Sequence, residues 1–281
     1  MSNDFRTYCI IGDPIDHSLS PAIHNAAFTT LGLNCSYIAF RVQEGQLKQS
    51  MDSLRAINIG GFNVTMPHKV TVLEYVDSSD RIVEMVGAAN TVNNESGKFH
   101  AYNTDVVGFI GPLHQRKIDL SGYEVLILGA GGAARAVAVA LAQEKGVAKI
   151  NILNRNMDRS TNLANVINNL GLTANIISYD DIQRIAFRSN LIINTTSLGM
   201  KNEESLIMSS SISKESIVYD IVYRPIETKL LENAKTAGAQ VIYGYEMLLE
   251  QAIASFKIWF RIDPPIESMK KVLFGMFGEP M

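Results

Sequence analysis

The sequence predicts a protein of the α/β class with two domains. Runs rich in Val, Ile and Leu alternate along the chain with amphipathic segments, a pattern typical of parallel strands joined by helices. One such run, residues 124–128, leads into a glycine cluster and then directly into an alanine-rich helix. The chain has 281 residues, and chains longer than about 250 residues tend to split into two domains.

The charge of the chain argues against nucleic acid or an anionic membrane as its main partner. The formal net charge is −3, and the sequence contains no run of basic residues. With 47% apolar and 19% charged residues, the composition is that of an ordinary soluble globular protein. We therefore expect neither a nucleic acid nor a membrane as a partner.

Signals of export and membrane insertion are not found in the sequence. Residues 1–6 include neither a basic segment nor a long apolar core, so we expect no signal peptide. The most apolar window, residues 125–142, is interrupted by glycines and an arginine and does not predict a transmembrane helix. The 2 cysteines are too few for a disulfide framework, which suits a reducing compartment. We expect a cytoplasmic protein.

The N-terminal residues predict a β-strand followed by a helix. The strand covers residues 8–11. Ser20 precedes Pro21, and serine at the N-cap with proline at the first helical position is a common helix start, so we expect a helix over residues 22–31 capped by Ser20. Ser18 has no capping role. The hydroxyls of Ser18 and Ser20, beside a helix start, could bind a carboxylate. The next predicted elements are a strand and a helix at residues 37–41 and 45–57.

Lys69 follows a predicted strand that is interrupted by proline. We expect this strand to begin near Gly60 and to break at Pro67 into a helix that ends near Tyr75. Lys69 would then lie in the first helical turn, where the helix dipole disfavours a positive charge. The position calls for a reason, but exposed lysines are common, so by position alone an ordinary surface lysine is the favoured interpretation and a functional role is the alternative.

Residues 87–105 predict a β-hairpin whose turn lies near residues 94–97. Its second arm ends in Asn-Thr-Asp, and residues 106–113 then predict a helix. By position alone, Asp105 is an acid in a first helical turn and Asn90 is a turn residue. We place the domain change within this helix, before the linker that follows it.

Residues 129–134 form the pattern Gly-x-Gly-x-x-Ala between a predicted strand and a predicted helix. The strand, residues 124–128, is apolar without alternation, as in a parallel strand buried on both faces. Glycines let the backbone approach a pyrophosphate, and the helix start presents free N–H groups to an anion. The pattern predicts a dinucleotide site, with a plain structural turn as the alternative because glycine turns after strands are common.

The residues after the next predicted strand, 149–153, indicate which dinucleotide binds. The end of this strand meets the adenosine ribose in dinucleotide-binding units, and an acidic residue there accepts the 2′-hydroxyl of NAD. The sequence here is Asn154-Arg155-Asn156-Met157-Asp158-Arg159, with no acid in the first three places and two arginines four residues apart. Two such guanidiniums can hold a 2′-phosphate. The segment therefore favours NADP, and a solvated helix start is the alternative.

The remaining segments predict further strands and helices. Residues 189–200 predict a buried strand that ends in polar, flexible residues, where the nicotinamide half of a cofactor commonly rests. Residues 216–225 predict another strand, stopped by Pro225. A long helix is expected at residues 244–260. Shorter elements are expected at residues 159–170 (helix), 174–178 (strand), 182–187 (helix), 227–236 (helix), 240–243 (strand) and 266–274 (helix).

Together these segments resemble the shikimate dehydrogenase family over nearly the whole chain. Seven signatures occur in the family's order, carried by His17-Ser18-Leu19-Ser20-Pro21, Asn63-Val64-Thr65-Met66-Pro67-His68-Lys69, Gly87-Ala88-Ala89-Asn90-Thr91, Asn103-Thr104-Asp105, Gly129-Ala130-Gly131-Gly132-Ala133, Asn154-Arg155 with Arg159, and Gly244-Tyr245-Glu246-Met247 with Gln251. Two positions vary from the most familiar pattern of the family. They are His68 in the second signature and Glu246 in the last, where a glycine often lies near the cofactor.

The resemblance implies two domains, an α/β substrate domain and a Rossmann-type NADP-binding domain with a parallel sheet. It implies that residues 1–104 and 244–281 form the discontinuous substrate domain and that residues 105–243 form the NADP domain. The substrate-binding residues implied are Ser18, Ser20 and Tyr223 at the carboxylate, and Thr65, Asn90, Asp105 and Gln251 at the ring hydroxyls. The cofactor-binding residues implied are Gly129, Ala130, Gly131, Gly132, Ala133, Asn154, Arg155, Asn156, Arg159, Ile221 and Gly244.

The reaction implied is the reversible reduction of 3-dehydroshikimate to shikimate by NADPH, a step of chorismate and aromatic amino-acid biosynthesis. The resemblance makes Lys69 the acid/base residue, paired with Asp105. This role agrees with the chemistry, because hydride reduction of a ketone leaves an alkoxide, and an ammonium group can supply the proton it needs. We expect no metal, because lysine replaces the Lewis acid and the 5 histidines have no ligand spacing.

Two other functions are compatible with these residues. One is a quinate or quinate/shikimate dehydrogenase that uses NAD. Arg155 and Arg159 argue against NAD, whereas these residues do not distinguish quinate, with its extra ring hydroxyl, from shikimate. The other is a non-catalytic ligand-binding paralogue, which would be free to lose Lys69 or Asp105, and both residues are present. Both a monomer and a homodimer are compatible with the sequence.

Overall fold

The computed structural model describes residues 5–201 and 204–278. The chain divides into two compact units, the first comprising Met1–Gly108 and Leu249–Met281 and the second comprising Phe109–Leu248. These boundaries differ by a few residues from the predicted domain limits at 104/105 and 243/244. Residues 1–4, which carry most of the expectation that no signal peptide is present, lie outside the described ranges.

Strands and helices alternate along both units. None of the helices in the described part of the chain is long and apolar enough to cross a membrane. The strands are β1 (Arg6–Gly12), β2 (Cys35–Arg41), β3 (Gly61–Val64), β4 (Ser78–Ser79), β5 (Thr91–Glu95), β6 (Lys98–Tyr102), β7 (Glu124–Leu128), β8 (Lys149–Leu153), β9 (Ala174–Ile176), β10 (Leu191–Asn194), β11 (Ile217–Asp220) and β12 (Gln240–Ile242). The α-helices are α1 (Ser20–Thr30), α2 (Leu47–Ala56), α3 (Arg81–Val86), α4 (Asp105–Gln115), α5 (Gly132–Gln143), α6 (Met157–Asn169), α7 (Ile182–Arg188), α8 (Lys229–Thr236), α9 (Gly244–Phe260) and α10 (Ile266–Gly275).

The first unit contains a six-stranded sheet of mixed direction, in the order β2-β1-β3-β5-β6-β4. β1 is parallel to β2 and β3, whereas β5 is antiparallel to β3 and β6. The carboxyl ends of β1, β3 and β6 and the amino end of β5 therefore lie at one edge of the sheet. The segments that leave this edge carry the predicted site residues Ser18, Ser20, Thr65, Lys69, Asn90 and Asp105.

The strands nearest the centre of this sheet are covered on both faces. All 4 residues of β3 are buried. Phe62 of β3 packs edge-to-face on Phe99 of β6, with 5.3 Å between ring centroids. The predicted apolar face of α2 is buried in the same core through Leu47, Met51 and Leu54. Burial of this apolar surface is the main force that holds the site segments on a fixed framework.

The second unit contains a parallel sheet in the order β12-β11-β10-β7-β8-β9. Numbered from β7, the strands follow the order 3-2-1-4-5-6 from β9 to β12, which is the Rossmann arrangement. β10 and β11 are buried along their whole length, as expected of apolar strands covered on both faces. The predicted α/β fold with a Rossmann-type parallel sheet is confirmed.

The segment after Pro67 differs from the prediction. Turns occupy residues 66–70, and a 3-10 helix, Thr71–Tyr75, replaces the expected α-helix. The carbonyl of Lys69 accepts a hydrogen bond from the N–H of Ala89 at 2.8 Å, so it is not paired with residue 73 as in an α-helix. The expected position of Lys69 in the first turn of an α-helix is therefore wrong, and the argument from the helix dipole does not apply.

β4 and α3 are absent from the sequence prediction. The carboxylate of Asp80 accepts a hydrogen bond from the N–H of Val83 at 2.8 Å and caps the start of α3. Gly87 ends the helix in the left-handed region with φ of 66°. An aspartate N-cap and a glycine after the last turn are ordinary helix signals. These two signals in the sequence could have predicted α3.

Candidate active site

Lys69 and Asp105 form an ion pair at the site edge of the first sheet. Lys69 Nζ lies 2.6 Å from Asp105 Oδ2, and the two side chains are 20% and 6% exposed. Asp105 begins α4, and its backbone N–H donates to Asn103 Oδ1 at 3.1 Å. Because the pair is largely buried, water and salt screen it less than they screen a surface pair. The structure thus brings together the two residues implied as the acid/base pair.

Asn90 holds the second oxygen of the Asp105 carboxylate. Its Nδ2 donates to Asp105 Oδ1 at 2.9 Å and lies 3.5 Å from Gln251 Oε1. Its Oδ1 accepts a hydrogen bond from the backbone N–H of Thr104 at 2.7 Å. Three of the residues implied to bind ring hydroxyls, Asn90, Asp105 and Gln251, therefore lie together beside Lys69.

The helix start near Ser18 differs from the expected one. α1 begins at Ser20, so the N-cap position falls to Leu19, and no side chain caps the helix from there. Ser18 Oγ instead accepts a hydrogen bond from the N–H of Ser20 at 3.3 Å. The predicted N-cap role of Ser20 is therefore wrong, and Ser18 takes over part of that duty. The Ser18 hydroxyl hydrogen stays available to a further acceptor.

Thr65 lies directly against the end of β1. Its N–H donates to the carbonyl of Ile11 at 2.9 Å. A Cβ added at Gly12 would lie 2.3 Å from Thr65 Cγ2 and 2.8 Å from the carbonyl oxygen of Met66. Glycine at position 12 is therefore needed for the segment that carries Thr65 and Lys69 to pack this closely.

In the second unit, Gly129 follows β7 at the point where the strand order reverses. Its φ is 109°, and an added Cβ would lie 2.6 Å from Thr195 Oγ1. Gly131 is the N-cap of α5 without a side-chain hydrogen bond, and an added Cβ there would meet nothing within 4 Å. Ala130 lies between them, and Gly132 and Ala133 begin the helix. This open helix start at the switch point is suited to a pyrophosphate.

Arg155 and Arg159 lie at the end of β8 and the start of α6. Both are exposed, and neither forms an ion pair with a carboxylate of residues 5–201 or 204–278. Asn156 Oδ1 caps α6 by accepting the N–H of Arg159 at 2.9 Å, and Asn154 Nδ2 donates to the carbonyl of Asn156 at 2.8 Å. The two asparagines thus shape the helix start from which the arginines project.

A buried carboxylate, Asp220, organises the carboxyl ends of β10 and β11. Its Oδ1 accepts from Asn194 Nδ2 at 2.9 Å and from the N–H of Val222 at 3.0 Å. Its Oδ2 accepts from the hydroxyl of Thr228 at 2.6 Å. The bond to Val222 turns the backbone, so the strand predicted to reach Pro225 ends at Asp220. A lone acid at the end of an apolar run is the signal that could have identified Asp220.

Ile221 and Gly244, both implied as cofactor residues, lie against each other. A Cβ added at Gly244 would be 2.5 Å from the carbonyl oxygen of Ile221 and 2.4 Å from that of Val222. Only glycine allows this approach of two backbones. Tyr223 follows in the same loop, half-buried, and burial raises the pKa of its hydroxyl.

Replacing Gly244 with alanine should therefore destabilise the protein. The added Cβ must displace backbone carbonyls, and overpacking of this kind costs about 1–3 kcal/mol. Urea unfolding measures the loss. Gly275→Ala at the end of α10 is the matched control, because its added Cβ meets nothing within 4 Å. Equal losses in the two variants would contradict the steric argument.

The free energy of unfolding should depend on pH through Asp220. Burial raises the pKa of this carboxyl from 3.8 to about 6, against hydrogen bonds from Thr228, Val222 and Asn194 that lower it. Between these values the folded chain holds a proton that the unfolded chain has lost. The contribution of Asp220 to stability should therefore fall as the pH rises, by about 2 kcal/mol between about pH 4 and about pH 6 and by about 3 kcal/mol in all.

The measurement is urea unfolding of the wild type and of Asp220→Asn across this pH range. The stability of the wild type relative to the variant should decrease as the pH rises. Asp119→Asn is a useful contrast, because hydrogen bonds from Ser121 lower the pKa of the exposed Asp119 carboxyl and its contribution changes in the opposite direction. A difference between wild type and Asp220→Asn that does not vary with pH would show that Asp220 titrates normally.

Glu246, the residue that departs from the family pattern, has partners within the second unit. Arg116 donates to both its carboxylate oxygens, at 2.7 and 3.0 Å. The N–H of Tyr243 donates to Glu246 Oε1 at 3.1 Å, which caps the start of α9. The carboxylate is thus engaged in holding this helix start, a role in which Arg116 was not expected.

Three family models match the chain. The model described as the shikimate dehydrogenase substrate binding domain matches residues 10–92. The model for shikimate/quinate 5-dehydrogenase matches residues 112–237, and that for the shikimate 5′-dehydrogenase C-terminal domain matches residues 244–274.

Individual proteins show the same similarity. The NADP(+) shikimate dehydrogenase of Nitrosopumilus maritimus is 45% identical over 97% of this chain and 99% of the relative. The crystal structure of shikimate 5-dehydrogenase from Thermus thermophilus with NADP(H) and shikimate has a TM-score of 0.85 at 32% identity, covering 96% of this chain and 98% of the other. Quinate dehydrogenase from Corynebacterium glutamicum in complex with NAD has a TM-score of 0.89 at 30% identity, covering 97% and 99%.

Proposed function

Because this chain belongs to the shikimate dehydrogenase family, we propose that it catalyses the reversible, NADP-dependent reduction of 3-dehydroshikimate to shikimate in chorismate biosynthesis. The observation that carries the proposal is the Lys69–Asp105 pair, with 2.6 Å between Nζ and Oδ2 and with Asn90 on the second carboxylate oxygen. A largely buried ammonium held by a carboxylate is a proton donor suited to a developing alkoxide.

In this proposal Lys69 Nζ protonates the carbonyl oxygen during reduction and accepts the proton during oxidation. Asp105 Oδ2 holds the ammonium in place, 2.6 Å from Nζ. We assign the ring hydroxyls to Asp105, Asn90 and Gln251, whose polar atoms are grouped beside Lys69, and to Thr65, which lies in the same segment as Lys69. As the family resemblance implies, the substrate carboxylate is assigned to Ser18, Ser20 and Tyr223, and Ser20 must turn its hydroxyl hydrogen from Tyr37 to donate to it.

The residues of the second unit fit a bound NADP. The space beside Gly131 is open, the start of α5 is uncapped, and Arg155 and Arg159 are exposed without an acid partner in the described chain. When bound, NADPH supplies the hydride. We assign the pyrophosphate to Gly129, Ala130, Gly131, Gly132 and Ala133, and the 2′-phosphate to the two arginines on the turn made by Asn154 and Asn156. Ile221 and Gly244 complete the cofactor residues.

These assignments make the first unit the substrate-binding unit and the second the NADP-binding unit. We further propose that the enzyme acts on small molecules in the cytoplasm, as a monomer or homodimer, with neither nucleic acid nor membrane as a partner. The net charge of −3 and the 2 cysteines support this assignment. Light scattering after gel filtration measures the oligomeric state.

The experiment that tests the function is an initial-rate assay at the nicotinamide absorbance band. Shikimate and quinate are each combined with NADP and with NAD. The proposal expects fast turnover with shikimate and NADP and slow turnover in the other three combinations. Fast turnover of quinate with NAD would instead support the quinate dehydrogenase alternative, which the similarity to the Corynebacterium enzyme keeps in consideration. No turnover in any of the four combinations would favour a non-catalytic paralogue.

A further inference from the structure

A path of buried hydrogen bonds leads from Tyr37 to the Asp105 carboxylate. The hydroxyl of Tyr37 donates to Asn63 Oδ1 at 2.6 Å, and Asn63 Nδ2 donates to Thr91 Oγ1 at 2.9 Å. Thr91 Oγ1 donates to Asn90 Oδ1 at 3.0 Å, and Asn90 Nδ2 donates to Asp105 Oδ1 at 2.9 Å. All five residues are buried and belong to the first unit. We call this the Tyr37–Asp105 path.

The direction of the first two bonds is fixed by their surroundings. Asn63 Nδ2 also lies 3.1 Å from the backbone oxygen of Asn90, which can only accept. The amide of Asn63 must therefore turn its Nδ2 to that oxygen and its Oδ1 to Tyr37, whose hydroxyl must donate. Thr91 Oγ1 receives a hydrogen from Asn63, and its own hydrogen lies within reach of two acceptors, Asn90 Oδ1 at 3.0 Å and Ser255 Oγ at 2.9 Å.

The direction is equally fixed at the other end. Asn90 Oδ1 accepts from the backbone N–H of Thr104, which can only donate, at 2.7 Å. Asn90 Nδ2 faces the carboxylate of Asp105, which accepts. With the Thr91 hydrogen on Asn90 Oδ1, every bond of the Tyr37–Asp105 path points toward Asp105, and successive bonds of one direction polarise and strengthen one another.

The first residue of the path is held in place by packing. The Tyr37 ring stacks on the buried ring of His24, with 4.6 Å between centroids and 14° between planes. Burial raises the pKa of Tyr37 well above its ordinary value, so its hydroxyl keeps the hydrogen that it donates. A hydrogen bond from the Ser20 side chain to the same oxygen acts in the opposite direction on this pKa.

Helix α9 joins the path through Ser255. Its Oγ lies 2.9 Å from Thr91 Oγ1 and 3.1 Å from Asn63 Nδ2, and it donates to the carbonyl of Gln251 at 2.9 Å. The helix that carries Gln251 is therefore connected to the same buried residues that hold Asn90.

We propose that Tyr37, Asn63 and Thr91 are positioning residues of the active site. They hold the Asn90 amide in the one orientation that donates to Asp105, and so keep the carboxylate aligned with Lys69. If the amide turned over, its oxygen would face the carboxylate and repel it. This inference rests on the proposed function, because it assumes that Lys69 and Asp105 act on the substrate.

The first test replaces Tyr37 with phenylalanine, which removes the hydroxyl and keeps the ring on His24. The loss of one hydrogen bond from the path should lower kcat about 3- to 10-fold, with a smaller change in the KM for shikimate. Tyr8→Phe is the matched control, because Tyr8 is equally buried and its hydroxyl is not part of the path. It should leave kcat unchanged.

A second pair of variants addresses Thr91, in case Tyr37→Phe does not fold. Thr91→Val keeps the shape and removes the hydroxyl, and should lower kcat by a similar factor of about 3 to 10. Thr91→Ser keeps the hydroxyl and should restore most of the activity. Loss in both variants to the same extent would mean that packing matters and the hydroxyl does not, which overturns the proposal.

A double-mutant cycle in urea unfolding tests the path without any turnover. Tyr37→Phe and Asp105→Asn are measured singly and together, and the two losses should be less than additive because the path then has no carboxylate to reach. If the two substitutions are coupled but the wild type does not oxidise shikimate, the proposed function is overturned and the Tyr37–Asp105 path is supported. Additive losses, or an unchanged kcat of Tyr37→Phe in an active wild type, would overturn the positioning role.

Discussion

Replacing Lys69 with alanine should lower kcat for shikimate oxidation by about 10²–10⁴, with a smaller change in KM. The expected loss follows from the position of the Lys69 ammonium, 2.6 Å from Asp105 Oδ2 in a largely buried pair. Without the Lys69 side chain, the amine proposed to accept the proton of the substrate hydroxyl is missing. Initial rates with saturating NADP and varied shikimate separate the effect on kcat from the effect on KM.

Two controls accompany this variant. Lys48→Ala removes an exposed lysine of α2 and should leave kcat unchanged. Because Lys69→Ala also leaves the Asp105 carboxylate buried without its partner, thermal unfolding must show that the variant is folded at the assay temperature. A folded Lys69→Ala enzyme with nearly normal kcat would refute the acid/base role, whatever the substrate proves to be.

The second large effect is expected from Arg155 and Arg159. Replacing both with alanine should lower kcat/KM for NADP by about 10²–10⁴ and leave the value for NAD nearly unchanged, since a hydrogen bond to a charged group contributes about 1.5–3 kcal/mol. Both guanidiniums are exposed at the end of β8 without an acid partner in the described chain, as a site for a 2′-phosphate requires. Rates with each cofactor at fixed shikimate measure the change.

Arg184→Ala provides the matched control for this pair. Arg184 is an exposed arginine of α7 in the same unit, where it pairs with Asp181. Its removal should change neither cofactor's kcat/KM. If the double variant lost the same factor with NAD as with NADP, the two arginines would contribute to the general charge of the site, and the choice of NADP over NAD would need another cause.

The second unit was largely predictable, because its strands are encoded locally. A parallel strand buried on both faces favours a run of large apolar residues, and β7, β10 and β11 each have one, whereas Asn151 interrupts the run of β8. The glycines after β7 and the arginines after β8 follow these runs directly. The positions of these glycines and arginines depend only on where each strand ends, which the sequence indicates. The predicted fold class and family are both confirmed.

Errors arose where a hydrogen bond of one polar group decides the local backbone. The helix expected after Pro67 is not formed, since the carbonyl of Lys69 bonds to Ala89, which comes from another segment. The strand expected to reach Pro225 ends early because the Asp220 side chain draws in the N–H of Val222. The periodicity of apolar residues along the sequence does not indicate such hydrogen bonds, because they involve single polar groups.

The sequence was sufficient to determine the fold class, the family, and the identity of Lys69, Asp105, Arg155 and Arg159 as candidates. Their signals lie within short segments, where propensity and spacing act. The tertiary structure alone decided which buried polar groups meet. Tyr37 and Asn63 are 26 positions apart, and Asn63 and Ser255 are 192 apart. A buried hydrogen-bonding group must find a partner, but its own neighbours in sequence do not specify which one.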